Sequence, residues 1–167
     1  IFSDQVESKK RPHKFFNLDF ITKRSILQKY KTIESIRESD ENLITKLYLV
    51  YNNAESIMNS IKERFIDIFP FVLDVRIAPL DFDDTDDTPS ILKEIPFIQI
   101  KEKNVEDWII TPRMSSGMYR TLMHLSEIYL CPEGTIILID EFENSLGVNC
   151  IDELTIDLQT SHRNLQF

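Results

Sequence analysis

Glycine is scarce in this chain: its 167 residues include three. A phosphate-cradling loop alone normally uses two or more, and no GxxxxGK[ST] motif occurs anywhere in the sequence. The main phosphate cradle of a complete nucleotide-binding domain is therefore missing from these residues. Cysteine is rarer still. Cys131 and Cys150 form no CxxC pair and lie in apolar surroundings, which predicts two reduced, core-side thiols in a cytosolic protein. His13, His124 and His162 are too scattered for metal-ligand spacing. No apolar run approaches the ~20 residues needed to span a bilayer, so no membrane contact is expected. Residues 1–14 are polar and lack the apolar centre of a signal peptide, and a cytoplasmic location is expected. The net charge of −9 excludes a surface that attracts nucleic acid everywhere. A local basic patch at Lys9, Lys10, Arg11, Lys14, Lys23 and Arg24 stays open.

What is present has a clear order. Residues 22–38 place Ile26, Tyr30 and Ile33 on one helical face. From 41 to 69, Leu43, Leu47, Val50, Ala54, Ile57, Ile61, Phe65 and Ile68 recur at steps of three and four, which predicts one long amphipathic helix. Asp40 is its expected N-cap and Pro70 its stop. The stripe either packs on the rest of the domain or forms a coiled-coil seam. Residues 71–79 alternate, with Phe71, Leu73, Val75 and Ile77 on one face of a half-buried strand. Further strands are expected through 96–101 and 105–110, with a turn near Asn104. A helix from Ser116 to about Leu130 should turn Met118, Leu122, Leu125 and Tyr129 inward. After a turn at Pro132, Glu133 and Gly134, residues 135–139 read as a strand buried on both faces of a parallel sheet. A last helix over about 150–158 and a strand from Leu165 complete an α/β plan. The division is a helical insertion or arm over 1–70, then an α/β lobe over 71–167.

Two motifs carry chemistry. Thr135-Ile-Ile-Leu-Ile-Asp140-Glu141 brings two carboxylates to the C-terminal end of an apolar strand, where open α/β sheets bind ligands. Asp140 suits Mg²⁺ held through water, and Glu141 suits polarising an attacking water. Met114-Ser115-Ser116-Gly117-Met118 supplies two hydroxyls and a glycine that admits close backbone approach, at the start of a helix whose N-terminus favours anions. Either motif alone is ordinary: solvated acids after a strand, or a Ser-Ser-Gly helix cap. The order loop, helix, buried strand, Asp-Glu is the informative feature.

That order resembles an ABC-type nucleotide-binding domain. Met114-Ser115-Ser116-Gly117-Met118 and the following Tyr-Arg-Thr-Leu122 resemble the signature motif. Ile136-Ile-Leu-Ile-Asp140-Glu141-Phe-Glu-Asn144 resembles Walker B, and Asn144, Ser145, Leu146 and Gly147 lie where the D-loop would be. The Asp-Glu-Phe-Glu-Asn wording is closer to the SMC-, RecF- and OLD-like branch than to transporters. Within that branch it is most similar to ATPase subunits of bacterial anti-phage systems such as Septu, which also accompany some retrons. The specific match covers roughly residues 108–167.

The resemblance implies the C-terminal part of an ABC-type P-loop nucleoside triphosphatase fold with a helical insertion and an antiparallel β segment. It implies ATP and Mg²⁺ as cofactors and a head-to-tail homodimer or higher oligomer. Ser115, Ser116 and Gly117 would contact the γ-phosphate held by the partner protomer, Asp140 would hold Mg²⁺ and Glu141 would be catalytic. It further implies regulation of an effector, an HNH-type nuclease, with a reverse transcriptase and its msDNA in the retron setting; direct DNA binding stays open. Other members act on DNA in repair or chromosome maintenance, and a scaffold that keeps the fold without hydrolysis is a third reading. The switch histidine is absent, since His162 precedes the last strand, and Gln99 is a poor Q-loop glutamine. The chain opens on Ile1 and stops at Phe167 as a strand begins, so part of a longer protein is expected, inactive as an ATPase by itself.

Other patterns point elsewhere. Asp81-Phe-Asp83-Asp-Thr85 fits the DxDxT pattern of haloacid-dehalogenase-like phosphatases, but Pro79 interrupts the approach and five crowded carboxylates favour a solvated or cation-binding loop. Trp108 reads as a packing anchor rather than a base-stacking platform. His124 reads as a boundary residue, and Arg120 as either a phosphate contact or a surface ion pair.

Overall fold

The computed structural model describes residues 20–80, 96–138, 148–160 and 163–166. Its elements are α1 (Phe20–Lys29), α2 (Ile33–Arg37), α3 (Leu43–Asn53), α4 (Glu55–Ile68), β1 (Val72–Pro79), β2 (Pro96–Glu102), β3 (Ile109–Ile110), α5 (Ser116–Leu130) and α6 (Val148–Thr160). A 3-10 turn at Thr111–Arg113 precedes α5.

Small polar side chains decide where the helices begin and end. The helix expected over 22–38 is two. α2 starts afresh after Thr32, whose hydroxyl accepts the N–H of Ser35 at 3.3 Å while the Ser35 hydroxyl accepts the N–H of Thr32 at 3.2 Å. α3 is capped by Asn42 rather than Asp40: Asn42 Oδ1 accepts the N–H of Thr45 at 2.9 Å. The single helix expected over 41–69 is interrupted at Ala54, whose φ of −141° and ψ of 64° are not helical. Asn53 explains the position of the break. Its amide donates to the carbonyls of Leu27 and Tyr30 at the end of α1, at 2.9 and 2.6 Å, fixing the last residue of α3 there. The two helices then serve different neighbours. α3 packs on α1, α2, α5 and β1, whereas α4 packs on α5, α6 and β1.

The antiparallel sheet runs β1-β2-β3. Val72 pairs with Glu102 and Asp74 with Lys101, so Leu73 is an extra residue on β1. Such a bulge moves the side chains before it to the opposite face. The expected inward set of Phe71, Leu73, Val75 and Ile77 is corrected accordingly. Val72, Val75 and Ile77 are buried, while Leu73 is 52% exposed and Phe71 is exposed beside it. The third strand is also shorter than expected over 105–110. Asn104 turns the chain at φ 63°, exposed residues 105–107 stay off the ladder, and only Ile109 and Ile110 pair with β2.

Residues on both sides of position 70 share one apolar core: Leu47, Val50, Ile61 and Phe65 from the helices, Val75, Ile77, Ile98 and Ile100 from the sheet, and Leu122 and Leu125 from α5. Each such buried side chain stabilises the fold by roughly 1.5–3 kcal/mol relative to exposure. The amphipathic stripe is thus spent inside the domain.

Beyond α5 the chain changes character. Gly134 turns it at φ 75°, a conformation that glycine adopts without penalty. Ile136 then bridges Gln166 in parallel, with the N–H of Ile137 donating to Gln166 O at 2.8 Å and the N–H of Gln166 to Thr135 O at 3.1 Å. α6 lies between these two bridged segments in sequence and packs on α5 and α4. Burial on both faces is not observed: Ile137 is buried, but Ile136 is 61% and Leu138 90% exposed. The described residues therefore form a mixed α/β structure. No helix among them is long and apolar enough to cross a membrane.

Candidate functional site

The approach to residues 114–118 is built from the sheet. Ile109 and Ile110 pair with Ile100 and Gln99, and the Thr111 hydroxyl donates to Ile98 O at 3.0 Å. Pro112 sits inside the 3-10 turn, which closes with the N–H of Met114 on Thr111 O at 3.1 Å. Ser115 is extended, and its hydroxyl accepts the N–H of Met118 at 3.2 Å as the N-cap of α5. Met118 is buried and anchors the first turn, while Ser115 and Ser116 are exposed. An α-helix leaves its first N–H groups without intrahelical acceptors. Here the hydroxyl cap takes that of Met118, which leaves those of Ser116 and Gly117 at the exposed end. No acidic residue lies in this turn, and exposed Arg113 and Arg120 flank it. The N-terminal dipole and hydroxyls are the features of an anion-contacting helix end.

Ser115, Ser116 and Gly117 are therefore brought together at one helix terminus. Asp140, Glu141, Asn144, Ser145, Leu146 and Gly147 lie outside the described residues, as do the acidic 81–87 stretch, His162 and the basic residues 9–14. In sequence, Leu138 is the last described residue before Asp140 and Glu141. Among the described residues no group of three or more His, Cys, Asp and Glu side chains could hold a metal. Asp140 and Glu141 offer the hard oxygen donors that suit Mg²⁺. Burial, then the neighbouring Arg120, lowers the pKa of His124 on α5. Cys131 and Cys150 are both buried free thiols, and burial raises the pKa of Cys131.

Two arrangements have no counterpart in the sequence pattern. Gln99, 1% exposed, accepts two hydrogen bonds from Arg76, whose guanidinium stacks over the ring of Trp108. At the far end of α5, Arg37 and Arg163 converge from distant parts of the chain on its last carbonyls. The hint for the first was a glutamine between isoleucines in a strand; nothing in the spacing marked the second. No protein-family model, no curated protein and no solved structure matches the chain.

Proposed function

We propose that this chain contributes the signature loop and Walker B carboxylates to an ABC-type ATPase that assembles head to tail around ATP. The supporting observation is the N-terminus of α5. Two exposed serines stand at a helix end with no acidic side chain in its first turn. From its position, that end could present N–H groups and hydroxyls to a γ-phosphate bound by another protomer, stabilising negative charge as it develops. For the other half the support is in the sequence: Asp140 and Glu141 follow an apolar segment whose Ile136 bridges Gln166 in parallel, and carboxylates at such a position suit ligand binding in α/β sheets. Asp140 would hold Mg²⁺ through water, and the ion would supply charge neutralisation at the phosphates. Glu141 would orient the attacking water and accept its proton. The phosphate-binding lysine must come from outside these 167 residues. On the resemblance, the assembly is a cytoplasmic homo-oligomer that regulates a nuclease effector of HNH type in anti-phage defence.

Two variants test this in the protein supplied with its phosphate-binding loop. Glu141→Gln should slow hydrolysis by roughly three orders of magnitude or more while ATP-bound dimers accumulate. Hydrolysis at the wild-type rate would remove Glu141 from the mechanism. Ser116→Phe should abolish ATP-dependent dimerisation, followed by light scattering, and leave nucleotide binding by the protomer intact. Equal loss of both properties would argue against contact in trans.

A further inference from the structure

The geometry points to Gln99 as a positioning residue for residues 114–118, acting through Arg76 and Trp108; its role in dimerisation rests on the ATPase reading above. β3 is two residues long, too short a ladder to fix the chain that follows. The segment from Trp108 to Ser115 is instead held by side chains. Gln99 sits opposite Arg76 on β1 and Ile110 on β3, so one row across the sheet joins all three strands. Its amide is used to capacity. Nε2 donates to Ala78 O at 2.8 Å and Pro79 O at 3.1 Å, and Oε1 accepts from Arg76 Nε at 3.2 Å and Nη2 at 3.0 Å. A buried amide with all its bonds made has one orientation, because any other leaves polar atoms unpaired. That orientation aims the planar guanidinium of Arg76, whose centre lies 4.1 Å from the centroid of the Trp108 ring. Trp108 is seven positions before Ser115. One position after Ile110, the Thr111 hydroxyl adds a second fastening to β2.

Removing Gln99 strands its buried partners in either case, so a loss of stability alone does not separate a folding role from a positioning role. Here one arm of the network passes through Arg76 to Trp108, on the approach to the exposed serines, and the other ends on the carbonyls of Ala78 and Pro79. Trp108 is also the sole tryptophan, so its fluorescence reports on this link alone.

The test uses Gln99→Met, close to isosteric and without hydrogen bonds, with Arg76→Met and Arg76→Lys. Each is followed by thermal denaturation, Trp108 emission and quenching by acrylamide, amide exchange and the ATP concentration giving half-maximal dimerisation. Gln99→Met and Arg76→Met should both shift Trp108 emission and raise exchange at Ser116 and Gly117 about tenfold. They should also raise the dimerisation midpoint by about 5- to 10-fold with protomer nucleotide binding unchanged. Arg76→Lys keeps a cation over the ring but loses the fork, and should fall between wild type and Arg76→Met. A purely structural Gln99 predicts faster exchange throughout β1 and β2 with no selective change at the loop, which overturns the assignment. So does a folded Gln99→Met with unaltered Trp108 emission and loop exchange. If Gln99→Met does not fold, Arg76→Met decides by the same readouts. If the wild-type protein does not dimerise on ATP, the ATPase reading fails, and emission and exchange alone judge the positioning role.

Discussion

At its N-terminus α5 is capped by the single hydroxyl of Ser115, and Ser116 faces outward beside it. At its C-terminus the same helix runs into buried surroundings, where Arg163 donates to the carbonyls of Ile128 and Cys131 and Arg37 donates to that of Tyr129. Lys46, itself buried, holds the Arg37 carbonyl at 2.7 Å and so fixes the clasp from behind. Cationic groups complement the negative end of a helix dipole, and carbonyls buried there need partners. The C-terminal end thus has its partners within the chain, whereas Ser115 and Ser116 at the N-terminal end are exposed. Burial, then the nearby Arg163, lowers the pKa of the Arg37 guanidinium. Stability and the proposed ligand contact thus fall at opposite ends of one helix.

The largest effect that would break this comparison is at the closed end. Arg163→Met should cost about 2–4 kcal/mol, because it strands two buried carbonyls that a charged donor now satisfies. Urea denaturation measures it, and a loss below about 1 kcal/mol would mean that the C-terminal clasp is dispensable. ATP-dependent dimerisation of the protein that remains folded should not change.

At the open end the expected balance reverses. Ser115→Ala removes one N-cap and should cost about 1 kcal/mol, less than Arg163→Met. Its effect on ATP-dependent dimerisation should nevertheless exceed that of Arg163→Met, because the proposed γ-phosphate contact is lost. If the arginine variant impairs dimerisation more than the serine variant at equal folded fraction, the two ends do not divide the work as described.

How much of this could be read beforehand depended on the range of the interactions. α5 was legible from end to end, since its cap, its 3.6-residue period and the Gly134 turn are local signals. The break at Ala54 was not, because it depends on Asn53 reaching carbonyls of α1 more than twenty residues earlier. The phase of β1 was misjudged through one residue. Alternation counted correctly from Val75 onward, but the Leu73 bulge is defined only by what Glu102 and Lys101 pair with. The apolar run at 135–139 suggested a central strand, whereas its described residues 135–138 are bridged on one side only, leaving Ile136 and Leu138 exposed. At the candidate site the Ser115 cap of α5 was visible because it is written in consecutive residues. The Gln99–Arg76–Trp108 link was invisible because it is written across three strands.

The smallest effect concerns the turn that follows the closed end. Glu133 accepts from Arg163 Nε at 2.6 Å and from the N–H of Asn164 at 3.1 Å, joining the start of one parallel segment to the other. The hydrogen bond from Arg163 is the main cause that lowers the Glu133 carboxyl pKa below its ordinary value. A carboxyl lowered on folding binds fewer protons in the folded state than in the unfolded chain, so stability rises with pH across the interval between the two values. Its contribution is complete above the unfolded glutamate pKa, about 4.3, and is lost as the pH falls from there through the folded value. Wild type should therefore melt at a higher temperature than Glu133→Gln near pH 7, with the gap closing as the pH falls through that interval. The group is exposed, so salt should shrink the gap at pH 7 as well. A gap that persists unchanged in strong acid would show that Glu133 acts through its shape in the turn and not through its charge on Arg163.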